Sequence, residues 1–166
     1  MNTQQRLWAP WRTPYLTRPP GQRRRCIFCA AKRSRHNRRV YVVCRGRTTF
    51  GLLNTYPYNN GHVMISPYRH VGTLGALTAH EQQDLFGMAT RLTQALSRAL
   101  HPDGFNLGIN IGRTAGAGIP GHLHLHVVPR WRGDTNFMPT IGGTKIISQS
   151  LEALYDTLTA ELAASR

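Results

Sequence analysis

The sequence has few acidic residues, few cysteines and no long apolar run. No segment approaches the ~18 consecutive apolar residues of a membrane-spanning helix, and the N-terminus lacks the apolar centre of a signal peptide. Three cysteines, an odd number, fit poorly with a disulfide scaffold and better with a reducing compartment. We therefore expect a cytoplasmic protein without a membrane span.

The scarcity of acidic residues leaves a large positive charge. Seven Asp and Glu stand against 21 Lys and Arg, which gives a formal charge of +14 and favours an anionic substrate or partner. Many of the basic residues lie close together: Arg23, Arg24, Arg25, Lys32, Arg33, Arg35, Arg38, Arg39, Arg45 and Arg47. This segment is either a solvated loop or a surface that attracts the phosphates of nucleotides or nucleic acid.

The length of 166 residues fits one domain. Residues 1–25 combine Trp8, Trp11 and Tyr15 with four prolines, which exclude a regular helix through most of the segment. We predict an extended aromatic and basic arm over 1–25, followed by a single domain over 26–166.

Apolar patterns predict the elements of that domain. Strands are expected over 40–44, 48–54, 62–66, 105–111 and 122–128. Thr78 and Glu81 form a capping-box pattern at the start of a helix. The apolar stripes of this helix and of a C-terminal helix consist of Leu85, Met88, Leu92, Leu96 and Leu100, and of Leu151, Leu154, Leu158 and Leu162. The prediction is an α+β domain, a mainly antiparallel sheet with helices packed on it.

Three histidines alternate with apolar residues in the run GHLHLHVVPRW. On a strand, His122, His124 and His126 would project from one face. Because unpaired imidazoles are costly to bury, a purely structural role is the least favoured. Either the three rings bind a metal such as zinc, or the central ring attacks phosphorus while its neighbours donate to phosphate oxygens. The spacing alone leaves both roles open.

The wider sequence resembles the histidine-triad (HIT) superfamily of nucleotidyl hydrolases and transferases. The run HLHLHVV follows a glycine-rich loop and lies downstream of NTYPYNNGHVMISPYRH. The segments RLWAPWRTPYL and VVPRWRGDTNFMPTIGGTKII resemble the bacterial diadenosine tetraphosphate phosphorylase branch. The resemblance implies a five-stranded antiparallel sheet, a homodimer, and cleavage of dinucleoside polyphosphates or related adenylyl compounds by phosphorolysis or hydrolysis.

The resemblance also implies roles for single residues. His124 matches the nucleophile that carries a covalent nucleotidyl group, and His126 and His62 match residues that contact the phosphates. Asn54 matches the residue that binds the ribose hydroxyls, and Leu53 is expected to face the base. The alternatives are a turn-capping role for Asn54 and a surface turn position for His62.

The loop before the triad departs from the family pattern. Where many members carry Gln and then Ser or Thr, this sequence has Gly118 and Ile119. Contacts to the leaving group are therefore expected from the backbone between Gly116 and Gly118, or from Arg113. Asn110 completes the predicted nucleotide-binding residues.

Cys26 and Cys29 have the spacing of a metal knuckle, but two ligands do not complete a tetrahedral site. In zinc-containing members of the superfamily the remaining ligands match His70 and His122. The resemblance therefore implies a closed, structural zinc site formed by these four residues. Two reduced thiols or a redox-active pair are the alternatives.

Two other functions compete with this enzyme. The charge, the N-terminal tryptophans and a zinc knuckle would also suit a nucleic-acid-binding module without turnover. A zinc hydrolase would use the triad as metal ligands around an open position for water. The zinc hydrolase is disfavoured because it needs a carboxylate base, and Asp134, the carboxylate nearest to the triad, lies in a predicted turn.

Overall fold

The computed structural model describes residues 26–135, 137, 138, 141 and 146–164. The predicted arm over 1–25 lies outside the described residues. The elements are α1 (Ile27–Arg33), β1 (Val42–Arg45), β2 (Thr49–Leu53), β3 (Val63–Pro67), α2 (Ala79–Leu100), β4 (Gly104–Ile109), β5 (Leu125–Arg130) and α3 (Leu151–Ala164), with short 3-10 turns at Asn37–Val40 and Leu74–Ala76. Among the described residues, every helix falls short of the length or the apolar character that a membrane crossing requires.

The strands form one antiparallel sheet in the order β1-β2-β3-β5-β4. This confirms the α+β prediction and the five-stranded antiparallel sheet. Leu52 of β2 lies opposite Met64 of β3, and Met64 lies opposite His126 of β5. Gly108 of β4 is the other neighbour of His126. The end of the triad therefore lies in the interior of the sheet, between β3 and β4.

The predicted strand boundaries are wrong mainly at β1 and β5. β1 begins at Val42 because a 3-10 turn precedes it and Tyr41 adopts a left-handed φ of 52°. β5 begins at Leu125, the first residue of the run that pairs with both β3 and β4. His122 and His124 therefore lie in the segment before the strand rather than in it.

Helices α2 and α3 cover one face of the sheet. The capping box predicted for α2 is confirmed, since Thr78 Oγ1 accepts from the Glu81 N–H at 3.2 Å and Glu81 Oε2 accepts from the Thr78 N–H at 2.9 Å. The apolar stripes of both helices pack on the sheet in a core that includes Leu85, Met88, Leu92, Leu96, Leu154, Leu158, Leu162, Val63, Ile65, Leu125 and Val127. Each large aliphatic side chain buried there contributes ~1.5–3 kcal/mol.

The opposite face is covered by α1, a helix that the sequence pattern does not predict. Its inner side belongs to a second buried cluster of Phe28, Ala31, Val42, Phe50, Leu52 and Met64. The Arg45 guanidinium closes the end of the helix by donating to the Ala31 carbonyl at 3.0 Å and the Ser34 carbonyl at 3.1 Å. Carbonyls at a helix end lack partners within the helix, so this contact stabilises α1 against the face that holds His126.

Candidate active site and metal centre

The histidine run reaches the sheet through a segment fixed by backbone bonds. The Leu123 N–H donates to the Val71 carbonyl at 2.6 Å, and Ser66 Oγ donates to the Leu123 carbonyl at 3.0 Å. These bonds take the place of strand pairing before β5 begins. The three imidazoles are buried, with exposed fractions of 0%, 4% and 8% for His122, His124 and His126.

The His124 imidazole is held in one tautomer. Its Nδ1 lies 2.8 Å from the His122 carbonyl oxygen. Because a carbonyl can only accept, Nδ1 carries the hydrogen and Nε2 of the neutral ring keeps its lone pair. Burial lowers the pKa of His124, although the bond to the carbonyl acts in the opposite direction. The ring is therefore neutral at physiological pH and can act as a nucleophile at Nε2.

A second chain of hydrogen bonds sets the tautomers of His62 and His126. The Tyr58 backbone N–H donates to His62 Nδ1 at 3.0 Å, so neutral His62 carries its hydrogen on Nε2. That nitrogen lies 2.9 Å from His126 Nδ1 and donates to it. Neutral His126 then carries its own hydrogen on Nε2, where it is a donor. One backbone amide thus determines the protonation pattern of two histidines.

Burial keeps His62 neutral. Its side chain is 1% exposed. Burial, followed by the charges of His126 and His124, lowers the pKa of His62 to about 3. Asn54 Nδ2 lies 3.3 Å from the same Nδ1 that accepts from the Tyr58 amide. Both ring nitrogens of His62 are therefore engaged within the protein, Nδ1 by Tyr58 and Asn54 and Nε2 by His126.

Two aromatic side chains that were not predicted as site residues flank the imidazoles. The Phe28 ring centroid lies 4.8 Å from that of His124 and 5.1 Å from that of His122. Tyr58 stacks on His126 at 5.6 Å. The sequence marks these residues only by their positions. Phe28 lies between the two cysteines, and Tyr58 lies in the turn before His62. Phe28 helps to desolvate His124, and burial is the main cause of the lowered pKa of that ring. Tyr58 covers His62 and His126 in the same way.

Cys26, Cys29, His70 and His122 come together beside α1, and their ligand atoms all lie within 4.8 Å of one another. Cys26 Sγ is 3.2 Å from His122 Nδ1, and Cys29 Sγ is 3.2 Å from His70 Nδ1. In a tetrahedral zinc site, neighbouring sulfur and nitrogen ligands lie ~3.6 Å apart. The donor set and its spacing therefore fit a tetrahedral metal ion.

A hydrogen bond on the far side of the ring orients His122 for this role. His122 Nε2 lies 2.9 Å from the Pro67 carbonyl oxygen, so Nε2 carries the hydrogen and Nδ1 directs its lone pair towards the thiols. Gly72 allows the adjoining segments to approach closely, since a Cβ there would lie 2.8 Å from the Pro120 carbonyl oxygen. That approach brings the segment after His70 against the loop that leads to His122.

Two predicted nucleotide-binding residues, Asn54 and Leu53, lie on opposite faces of the sheet. Asn54 Oδ1 accepts from the Tyr56 N–H at 2.9 Å, so Asn54 caps a turn beside the histidines. Leu53 is 1% exposed and packs in the core under α2 and α3, on the other face of the sheet. Side chains alternate along a strand, so Leu52 rather than Leu53 shares the face of Asn54. The sequence already contained that signal.

The loop before the triad offers backbone and charge to a ligand. Asn110 is half-buried directly after β4, and Arg113 is exposed. The Arg113 carbonyl accepts from the Gly116 N–H at 2.9 Å, and Gly116 has a φ of 85°. A Cβ on Gly118 would meet no atom within 4 Å. The backbone around Gly118 is therefore open to a bound group.

A family model described as the HIT domain matches residues 38–133. The chain belongs to the HIT domain family. Over 165 residues it is 39% identical to the AP-4-A phosphorylase of Mycobacterium tuberculosis (strain H37Rv). The matched region covers 96% of this chain and 85% of that protein. It is also 33% identical over 93 residues to the asymmetrical bis(5'-nucleosyl)-tetraphosphatase of Schizosaccharomyces pombe, across 56% of this chain and 50% of the relative.

Solved structures show the same HIT fold. The Zn-bound histidine triad family protein from Mycobacterium smegmatis superposes with a TM-score of 0.67 and 26% identity, over 84% of this chain and 94% of that one. A uridylyltransferase mutant gives a TM-score of 0.67 at 19% identity, which indicates a shared fold alone.

Proposed function

We propose that this HIT protein is an enzyme that cleaves dinucleoside polyphosphates, such as diadenosine tetraphosphate, through a nucleotidyl group bound covalently to His124. The 2.8 Å hydrogen bond from His124 Nδ1 to the His122 carbonyl carries this proposal, because it leaves Nε2 as the attacking atom. Similarity to an AP-4-A phosphorylase across 96% of the chain supports the substrate class.

The proposed reaction consists of two displacements at one phosphorus atom. His124 Nε2 attacks the α-phosphorus, the bond from that phosphorus to the bridging oxygen breaks, and the rest of the polyphosphate leaves with the oxygen. Phosphate or water then attacks the same phosphorus, and the bond to Nε2 breaks. Phosphorolysis and hydrolysis therefore share one intermediate and differ only in the acceptor.

His126 is proposed to stabilise the charge that accumulates on the phosphate oxygens. Because His62 donates to His126 Nδ1, the neutral His126 ring carries its hydrogen on Nε2. A donor fixed at that position would stabilise the charge of the transition state. His62 is a positioning residue in this scheme. Its buried ring holds His126 in the donating tautomer, instead of contacting the phosphates as the resemblance implied.

The remaining contacts to the nucleotide are proposed from position. Asn54, beside the histidines, would bind the ribose hydroxyls with the same amide that now contacts the turn. Arg113 and the backbone from Gly116 to Gly118 would contact the leaving polyphosphate, with Asn110 at the end of β4. Leu53 is left out of this set because it is buried on the other face of the sheet.

We also propose that Cys26, Cys29, His70 and His122 hold a structural zinc ion. Four protein ligands leave no open position for water or substrate, which distinguishes a structural site from a catalytic one. When bound, zinc supplies a cross-link between the start of α1, the segment after β3 and the segment before β5. The two thiols and two imidazoles of this cluster match the ligands that zinc prefers.

Assembly into a homodimer is proposed through β4. This strand forms one edge of the sheet. Leu107 and Ile111, in and just after the strand, are 47% and 44% exposed. An exposed edge with apolar side chains is suited to pairing with a second copy.

Product analysis with diadenosine tetraphosphate, with and without inorganic phosphate, tests the proposed activity. ADP together with ATP, formed only when phosphate is present, indicates phosphorolysis, whereas AMP together with ATP indicates hydrolysis. Either result supports the proposal. Absence of both activities in the unmodified protein would contradict it.

Substitution of the nucleophile tests the covalent step. His124→Ala is expected to lower turnover by several orders of magnitude and to abolish labelling of the protein by substrate carrying radioactive α-phosphate. The matched control is His80→Ala, which removes an exposed imidazole from α2 and is expected to leave turnover unchanged. Full activity in His124→Ala would refute the role of this residue.

A further inference from the structure

The net positive charge of the chain comes from its first half. Residues 1–80 contain 14 Lys and Arg and no Asp or Glu, whereas residues 81–166 contain seven of each kind. The formal charge of +14 therefore comes entirely from the first 80 residues. Such asymmetry between two halves of one chain is typical of proteins that bind nucleic acid or a charged surface.

Ion pairs neutralise only part of this charge. Arg38 pairs with Asp156, Arg47 with Asp84, and Arg69 with Glu81. Within the described residues, the other cations of positions 26–80 have no carboxylate partner, namely Lys32, Arg33, Arg35, Arg39 and Arg45. Five positive charges therefore remain uncompensated between positions 32 and 45.

Arg45 and Lys32 shape this region by donating to backbone groups. Arg45 binds carbonyls at the end of α1 and also donates to Asn37 Oδ1 at 3.0 Å, which ties the end of the helix to the following 3-10 turn. Lys32 Nζ donates to the Tyr68 carbonyl at 2.8 Å. Arg33, Arg35 and Arg39 lie on the segment held in this way, and all three are exposed. We call these three residues the arginine surface.

The chemistry of the arginine surface favours phosphodiesters over membranes. Arginine accounts for 19 of the 21 basic residues of the chain, and its guanidinium binds phosphate oxygens in pairs. Membrane-surface segments combine cations with inserted apolar side chains. Between positions 32 and 47, all of them described, no large apolar side chain is exposed.

We propose that the arginine surface binds the phosphodiester backbone of nucleic acid, in addition to and separately from the nucleotide site. Phe28, near the start of α1, contacts the histidines, whereas Arg33 ends that helix. The surface therefore lies beyond the far end of α1 from the metal ligands, and it is expected to remain available when the nucleotide site is filled.

Fluorescence anisotropy with a labelled 20-nucleotide RNA, and with DNA of the same sequence, measures this binding between 50 and 300 mM KCl. For a single strand, each phosphate contact contributes about 0.7 to the slope of log K against log salt. The double variant R35Q/R39Q is therefore expected to lower the slope by about 1.4 and to weaken binding about 25-fold at 0.1 M salt. Binding to RNA, DNA or both supports the proposal.

A second double variant controls for the loss of charge. R98Q/R132Q removes two exposed arginines from the second half of the chain and is expected to change affinity less than threefold. Equal weakening by both double variants, or none by R35Q/R39Q, would overturn the proposal. So would displacement of RNA by saturating AMP, or preferential binding to phosphatidylserine vesicles. Circular dichroism confirms that both variants fold, and cleavage of diadenosine tetraphosphate is read separately.

Discussion

The buried imidazole of His62 predicts a dependence of folding on pH that one substitution can isolate. Its side chain is 1% exposed, and burial first, then the charges of His126 and His124, lower its pKa from 6.5 to about 3. The unfolded chain binds a proton there near pH 6.5, whereas the folded chain does so only near pH 3. The contribution of neutral His62 to the free energy of unfolding is therefore fully present above pH 6.5, and it is lost as the pH falls from 6.5 towards 3.

The expected loss follows from the width of that window. Within it, the free energy of unfolding falls by about 1.4 kcal/mol per pH unit because of this one group. Between pH 7 and pH 5 the loss amounts to about 2 kcal/mol. Burial of the ring is the main source of this cost. In addition, a proton on His62 Nδ1 would face the Tyr58 N–H that now donates to it at 3.0 Å.

Urea unfolding at pH 7, 6 and 5 measures this loss. His62→Gln is expected to reduce the difference between pH 7 and pH 5 by about 2 kcal/mol, because an amide supplies a donor and an acceptor but does not titrate. Both proteins keep Cys26, Cys29, His70 and His122, so the difference between their changes in unfolding free energy with pH isolates His62. His80→Gln, at an exposed position of α2, is the control and should retain the full dependence. If His62→Gln loses as much unfolding free energy between pH 7 and pH 5 as the unmodified protein, His62 is not the buried neutral group proposed.

Two further predictions concern the proposed metal site and α2. Cys29→Ser is expected to reduce the zinc content, measured by elemental analysis after dialysis, from about one ion per chain to nearly none. Cys44→Ser, outside the cluster, should keep the zinc, and full retention in Cys29→Ser would exclude the four-ligand site. Thr78→Ala should lower the free energy of unfolding by about 1 kcal/mol in urea because α2 loses its cap, and Thr78→Ser should restore most of it; an unchanged midpoint in Thr78→Ala would show that the cap contributes little.

Features with a local signal could be predicted from the sequence. The start of α2 was predictable because Thr78 and Glu81 bind each other's backbone within one turn, which requires no distant partner. The five strands were predictable in number because three are short, nearly continuous runs of apolar and β-branched residues, and the other two lie in runs where apolar and polar residues alternate. The full set of candidate metal ligands could be predicted only through the family resemblance, since the spacing of Cys26 and Cys29 does not locate two histidines elsewhere in the chain.

Features that depend on distant contacts could not be predicted in this way. Helix α1 has seven residues, too few for a stable helix in isolation, and its end is closed by Arg45 from β1. The start of β5 was misplaced for a similar reason. His122 and His124 alternate with apolar residues as a strand would, but the pairing of β3 and β4 reaches back only to Leu125.

His122 contacts both the cysteine–histidine cluster that could hold a metal and His124, the proposed nucleophile, and a third contact fixes its ring. Its Nδ1 faces the thiol of Cys26 at 3.2 Å, its Nε2 donates to the Pro67 carbonyl at 2.9 Å, and its own carbonyl accepts from His124 Nδ1 at 2.8 Å. If His122 moved, His124 Nδ1 would lose its acceptor, and the ring could carry its hydrogen on Nε2 instead. That tautomer has no lone pair at the attacking position. His122, which is proposed to bind metal and not substrate, therefore sets which nitrogen of His124 would react in the proposed mechanism.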